Sequence, residues 1–218
     1  MSASANDPHL GRPVLTAGSK LVDAGAAMIL LHGRGAGAAD IIGLADIFDR
    51  PDIAYLAPDA RGHVWYHNPF MTPAAGNEPY LSSALGVVAR LIAQAGKAGV
   101  PPEKIALLGF SQGACLALDF AARNPRRYGA VLALSGGLIG ARIMPASYSG
   151  SLAGTPVLLG CSNVDPFIPL ERVQESAAIM RHLGGDVTER IYPGAGHSIV
   201  QDEVGEMRRI VEAMTAPT

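Results

Sequence analysis

Apolar residues along this chain fall into runs of two lengths. Short unbroken ones, at Ala26–Leu31, Ile53–Ala57, Lys104–Gly109, Ala130–Leu134, Pro156–Gly160 and Thr188–Tyr192, have the length and aliphatic character of strands. Longer ones, at Leu81–Ala98, Gln112–Arg123, Leu170–Leu183 and Val200–Met214, have helical length; in the third, Val173, Ala177, Ile179, Met180 and Leu183 mark one face of an amphipathic helix. Strands alternating with helices predict an α/β fold in which a mostly parallel sheet is covered on both faces. No repeat, linker or low-complexity block divides residues 1–218, so one domain is expected, with residues 1–18 as an irregular lead-in that includes an edge strand. The stretch between Leu134 and Pro156 is too short for a separate cap domain, which predicts an open cleft.

Composition narrows the function classes. In 218 residues, 49% hydrophobic against 17% charged is enough apolar material for one large core. A net charge of −2 gives no concentrated positive surface for nucleic acid. The apolar run Ala24–Leu31 is far shorter than the ~20 residues that span a bilayer, so no stable membrane insertion is expected. The opening Met-Ser-Ala-Ser-Ala-Asn-Asp lacks a charged and apolar export signal, which makes the cytoplasm the expected location. Cys115 and Cys161, both in apolar surroundings, read as buried thiols and not as a disulfide framework.

The chemistry concentrates where a strand runs through Gly109-Phe-Ser111-Gln-Gly113 straight into a helix. That is the setting of a nucleophile elbow, a serine on a turn so tight that a Cβ at either flanking glycine would clash with neighbouring backbone. A serine hydroxyl needs a base to take its proton, and the base needs a carboxylate to fix its tautomer; on this architecture they follow in the order Ser, acid, His. Of the two later histidines, His182 falls within a helix and reads as a surface residue, whereas His197 stands in the glycine-rich Pro193-Gly-Ala-Gly-His197 after a strand. Asp165 follows a strand in a loop and is the expected acid. Asp119 lies about 12 Å along a helix from Ser111 and, with Asp186 and Asp202, is expected to be a surface group away from the imidazole. An oxyanion hole needs two backbone N–H groups; Gln112, after the nucleophile, supplies one, and Arg34 in His32-Gly-Arg-Gly-Ala-Gly37 the other. A dinucleotide loop is the rival reading of those glycines, but Ala38 stands where its third glycine belongs.

Trp65 and Tyr66 follow a strand and are expected to wall the substrate pocket, the alternative being an aromatic loop packed over the sheet edge. His63 and His67 have the spacing of helical metal ligands but lie beside Gly62 and Pro69 with no clear third ligand, so neither a metal nor any other cofactor is expected. The Arg34 side chain is a candidate for a substrate carboxylate.

These parts together resemble the carboxylesterase/phospholipase family of α/β-hydrolases, which includes acyl-protein thioesterases and small bacterial esterases. The resemblance rests on Leu30-Leu-His-Gly-Arg-Gly35, Gly109-Phe-Ser-Gln-Gly113, Leu134-Ser-Gly-Gly137, Asp165-Pro-Phe-Ile-Pro169 and Tyr192-Pro-Gly-Ala-Gly-His197. It implies the α/β-hydrolase fold, a triad of Ser111, Asp165 and His197, and oxyanion donors at Arg34 and Gln112. Acyl-protein thioesterases have Leu-Gly-Asp where this chain has Arg34-Gly-Ala36, and Trp-Phe-Asp where it has Trp65-Tyr-His67, which places the resemblance nearer the small bacterial esterases. The implied function is a serine carboxylesterase acting on short- to medium-chain esters through an acyl-enzyme on Ser111. Its alternatives are an acyl thioesterase, lysophospholipase or lactonase, or a non-catalytic ligand-binding scaffold. Implied partners are a small-molecule ester and at most a second copy of the chain.

Overall fold

The computed structural model describes residues 7–216. Strands β1 (Val14–Gly18), β2 (Ala26–Leu31), β3 (Ile53–Pro58), β4 (Ile105–Phe110), β5 (Ala130–Leu134), β6 (Pro156–Ser162) and β7 (Asp186–Tyr192) form one sheet in the order β1-β3-β2-β4-β5-β6-β7. Every neighbouring pair is parallel except β1 with β3. Around the sheet lie helices α1 (Ala38–Ile42), α2 (Ala45–Phe48), α3 (Tyr80–Lys97), α4 (Gln112–Arg123), α5 (Leu170–His182) and α6 (Gln201–Thr215).

Side chains on a strand alternate between its faces. Ala27, Ile29 and Leu31 of β2 accordingly pack with α3, α4 and α5, while Ala26, Met28 and Leu30 pack with α1, α2 and α6. Burial on both faces is why these strands read as unbroken apolar runs. The elements expected from sequence are all present with ends shifted by no more than a few residues. The edge strand expected in the lead-in is β1, held antiparallel, although residues 1–6 of that lead-in lie outside the described residues. What the pattern missed are α1 and α2, at five and four residues too short to show a helical period.

In a parallel sheet the loops after the carboxyl ends of the strands gather on one edge, where ligand sites form. Here that edge carries the loops after β2, β3, β4, β5, β6 and β7, the one after β3 running from residue 59 to 79. Between β5 and β6 the chain forms only one turn of 3-10 helix, Pro145–Ser147, so no separate cap domain is inserted there. No described helix is long and apolar enough to cross a membrane.

Candidate active site

Ser111 sits between β4 and α4 with φ 55° and ψ −118°, a left-handed backbone that a non-glycine residue adopts at a cost on the order of 1–3 kcal/mol. The surrounding structure enforces it. The Ser111 N–H donates to the Leu134 carbonyl at 2.9 Å, and the Ser111 carbonyl accepts the Cys115 N–H at 3.0 Å. A Cβ on Gly109 would lie 2.2 Å from the Gly113 carbonyl oxygen, and one on Gly113 would lie 2.0 Å from that of Leu31. Glycine at both flanks is therefore a packing requirement of the elbow, as the motif implied.

His197 Nε2 stands 2.9 Å from Ser111 Oγ, and its Nδ1 stands 2.7 Å from Asp165 Oδ2. The carboxylate accepts the Nδ1–H, which leaves Nε2 with its lone pair toward the serine hydroxyl. Asp165 Oδ1 accepts the N–H groups of Phe167 and Ile168 at 2.9 and 3.1 Å, an Asx turn that aims the other oxygen at the imidazole. Burial alone pushes the Asp165 carboxyl up, but the hydrogen bond and charge of His197, together with those two N–H groups, hold it below its ordinary range. Its side chain is buried and the imidazole is 17% exposed, so the imidazole meets solvent and the carboxylate does not.

The histidine loop is fixed from β6. Ser162 Oγ accepts the Gly196 N–H at 3.1 Å and Asn163 Oδ1 accepts that of Gly194 at 2.9 Å, while the rings of Phe110 and Phe167 each pack 4.9 Å from His197. Ser162 and Asn163 were not singled out in the sequence, since no local pattern marks a hydroxyl or amide that acts on a loop 31 residues away.

The backbone N–H groups of Arg34 and Gln112 find no hydrogen-bond partner among the described residues and flank Ser111 in one cleft. Gly35, at φ +81°, donates its own N–H to the His63 carbonyl at 2.8 Å and turns the chain so that the N–H of Arg34 stays free. The side chains of these two residues act on the 65–68 segment. Gln112 Oε1 accepts the Trp65 N–H and Nε2 donates to the Tyr66 carbonyl, both at 2.8 Å. Arg34 Nη2 donates to the carbonyls of Tyr66 and His67 at 2.7 and 3.0 Å, which engages the guanidinium considered above as a carboxylate binder.

Two expectations need correction. Trp65 does not wall the cleft: it is fully buried beneath the loop after β2, its Nε1–H donating to the His32 carbonyl at 2.9 Å and its ring 4.8 Å from that of His32. An indole satisfies its N–H where a buried carbonyl is in reach. Tyr66 does line the cleft. Asp119 is not a surface group either; its side chain is fully buried, paired to Arg123 Nε at 2.6 Å, with Oδ1 unpartnered. His63 meets the Ala36 carbonyl at 3.1 Å and His67 packs on Tyr80 at 4.2 Å, so each has a packing role. Cys115 and Cys161 are both free and buried.

The cleft encloses about 480 Å³, within the range of small-molecule sites, and is lined mainly by apolar side chains such as Phe70, Phe110, Phe167 and Ile168.

Behind the histidine loop, Glu203 is buried against Gly160 and accepts the Val200 N–H at 2.9 Å. Burial, and secondarily Asp202, outweigh that hydrogen bond and push its carboxyl up from 4.5 to about 7. A carboxyl raised by folding contributes full stability below its unfolded pKa and loses it as pH rises through the folded one. Glu203→Gln is therefore expected to melt at a progressively higher temperature than the wild type as pH rises from about 4.5 to 7, an effect on the order of 3 kcal/mol at the upper end. Melting curves across that window check it, and parallel pH profiles would remove Glu203 as the source.

The sequence profile of the phospholipase/carboxylesterase family matches residues 17–215. The chain is 34% identical to acyl-protein thioesterase 1 of Gibberella zeae over 129 residues, 58% of this chain and 55% of that one. With acyl-protein thioesterase 1 of Saccharomyces cerevisiae it shares 28% over 137 residues, 60% of this chain and 58% of that one, so the chain spans about half the length of the curated relatives it matches. A phospholipase/carboxylesterase from Dyadobacter fermentans superposes with a TM-score of 0.89 at 39% identity, covering 92% of this chain and 96% of that one.

Proposed function

The chain belongs to the phospholipase/carboxylesterase family, and from that premise we propose that it is a serine carboxylesterase with Ser111 as nucleophile, His197 as general base and Asp165 as its orienting acid. The observation that carries the reading is the continuous line Asp165–His197–Ser111, with contacts of 2.7 and 2.9 Å at an uncapped, apolar cleft. Ser111 Oγ attacks the ester carbonyl as its proton passes to His197 Nε2. The N–H groups of Arg34 and Gln112 receive the oxyanion, and the imidazolium returns the proton to the leaving alkoxide. Water deprotonated by the same nitrogen then releases the acid from the acyl-enzyme. Every part a non-catalytic scaffold could dispense with is retained, which favours the enzyme. No step draws on a cofactor, and the two free thiols fit the cytoplasmic setting that is part of this reading.

The size of the cleft, about 480 Å³, supports short- to medium-chain acyl groups, roughly two to eight carbons. A p-nitrophenyl ester series is expected to peak in kcat/KM within that range and to fall at least tenfold by palmitate. A rise continuing to palmitate would defeat the chain-length assignment. The same acyl groups as thioesters separate esterase from thioesterase, the activity named for the fungal relatives.

A further inference from the structure

His9 does not line the cleft, yet it is buried and both of its ring nitrogens are bonded to backbone. Nδ1 accepts the Arg61 N–H and Nε2–H donates to the Trp65 carbonyl, each at 3.1 Å. A backbone N–H can only donate, so this pairing fixes the neutral tautomer with its hydrogen on Nε2. The histidine is itself anchored on α3: its backbone N–H donates to Ser83 Oγ at 2.9 Å, and Asp7, two residues before it, pairs with Arg90 at 2.8 Å. One ring thus grips both ends of the turn 61–65, in the loop after β3. That turn is strained, for His63 has φ +60°, a left-handed backbone that a non-glycine residue keeps only where its surroundings enforce it. The His63 carbonyl is the one that accepts the Gly35 N–H at 2.8 Å, the bond that leaves the Arg34 N–H free beside Ser111.

We propose that neutral His9 is a positioning residue for the oxyanion hole, holding the turn 61–65 in the shape that presents the Arg34 N–H, and that a proton taken up at Nδ1 releases it. The added N–H would face that of Arg61, donor against donor, and the bond that closes the turn breaks. Burial is the main reason the ring resists this proton and sits below its ordinary 6.5; the Trp65 carbonyl and Asp7 favour the charged form, and Arg90 opposes it. Tyr80 of α3 packs edge-on to the ring at 5.5 Å, Trp65 lies 5.4 Å away, and His32 packs on the same indole. Arg12 and Asp59, paired at 2.7 Å, share the surface pocket beside it, and Arg61 is exposed. A group whose pKa folding lowers gives stability that is present above its unfolded value and lost as pH falls through the folded one, so the turn is held above about pH 6.5 and released in acid. The positioning role rests on the oxyanion assignment of Arg34, but the state of the turn is measurable without turnover.

The experiment compares His9→Ala and His9→Gln in the full chain. A glutamine amide carries an acceptor and a donor side by side, as the neutral ring does, so it can serve Arg61 and Trp65 but takes up no proton. On p-nitrophenyl butyrate, His9→Ala is expected to lower kcat about tenfold, part of the loss from deleting an oxyanion donor, with KM changed less than about twofold because the oxyanion exists only in the transition state. His9→Gln should recover most of that loss. In wild type the acid limb of kcat should steepen from a slope of one toward two as His9 adds its proton to that of His197, and in His9→Gln it should stay at one. Deuterium exchange of the Gly35 amide, followed by NMR and corrected for its intrinsic rate, should quicken about tenfold in His9→Ala while the amides of β4 keep their protection. The same amide in wild type should lose protection as pH falls below about 6.5, and should keep it in His9→Gln. This last comparison decides the matter if His9→Ala fails to fold or if hydrolysis does not depend on Ser111. Unaltered Gly35 exchange in a folded His9→Ala, a loss that falls on KM, or acid behaviour in His9→Gln identical to that of wild type would each overturn the role.

Discussion

Ser111→Ala is expected to reduce kcat for ester hydrolysis by a factor on the order of 10⁶, and to abolish covalent labelling by a fluorophosphonate, which phosphorylates an activated serine as a substrate acylates it. The substitution keeps Cβ and removes only Oγ with its 2.9 Å contact to His197. The backbone at position 111 stays in the same left-handed conformation, fixed by Leu134 and Cys115, so the strain is carried equally by both side chains. Thermal stability should consequently change little. Wild-type protein should take up one label, and the variant none at an unchanged melting temperature. Labelling that persists in Ser111→Ala would place the nucleophile elsewhere, and a variant that fails to fold would show instead that the 111 hydroxyl is part of the framework.

The fold and the side chains that meet at the cleft, Ser111, His197 and Asp165, were legible in the sequence for one physical reason. A parallel strand buried on both faces must be apolar throughout, and a serine on so tight a strand-to-helix turn must be flanked by residues without a side chain; both leave contiguous signals. The 2.0 and 2.2 Å approaches at Gly113 and Gly109 are the packing fact behind that second signal. What was illegible depends on contacts between distant segments. Trp65 sits in a segment whose composition suits a pocket wall, but its indole turns inward because the His32 carbonyl, 33 residues away, lies there to accept its proton. Asp119 reads as a surface carboxylate until α4 is seen to be buried from Gln112 to Ala122, which leaves a helix with no solvent face for it. An all-round apolar helix of Ala, Leu and Phe was a usable hint of this. The Gln112 amide that clamps Trp65 and Tyr66 has no such hint, since its partners lie 46 and 47 residues away.

The same distinction gives Asp165→Asn its weight as a test. An asparagine at 165 can keep its Oδ1 on the N–H groups of Phe167 and Ile168, so the loop after β6 should hold its shape. Its amide nitrogen would then face His197 Nδ1, where it donates a proton instead of accepting one, and the imidazole is driven to carry its hydrogen on Nε2, pointing at Ser111. In that tautomer the base cannot take the serine proton, and the imidazolium of the transition state loses its counter-charge. The expected cost is a factor on the order of 10⁴ in kcat, as for the corresponding change in a serine protease, with little change in KM because the bound ester does not touch the carboxylate. Asp186 and Asp202 are exposed, and the latter only accepts the Tyr192 hydroxyl at 2.9 Å, so Asn at either position should alter kcat less than about tenfold. Asp119→Asn should likewise spare kcat, for Asp119 lies two turns down α4 from Ser111 and pairs with Arg123, but it should shift the melting temperature because the change falls in the core. Assaying the four variants on one p-nitrophenyl ester alongside melting curves separates these roles. Near-wild-type turnover in Asp165→Asn, or a collapse of kcat in a well-folded Asp119→Asn, would mean that another carboxylate orients His197 during the reaction.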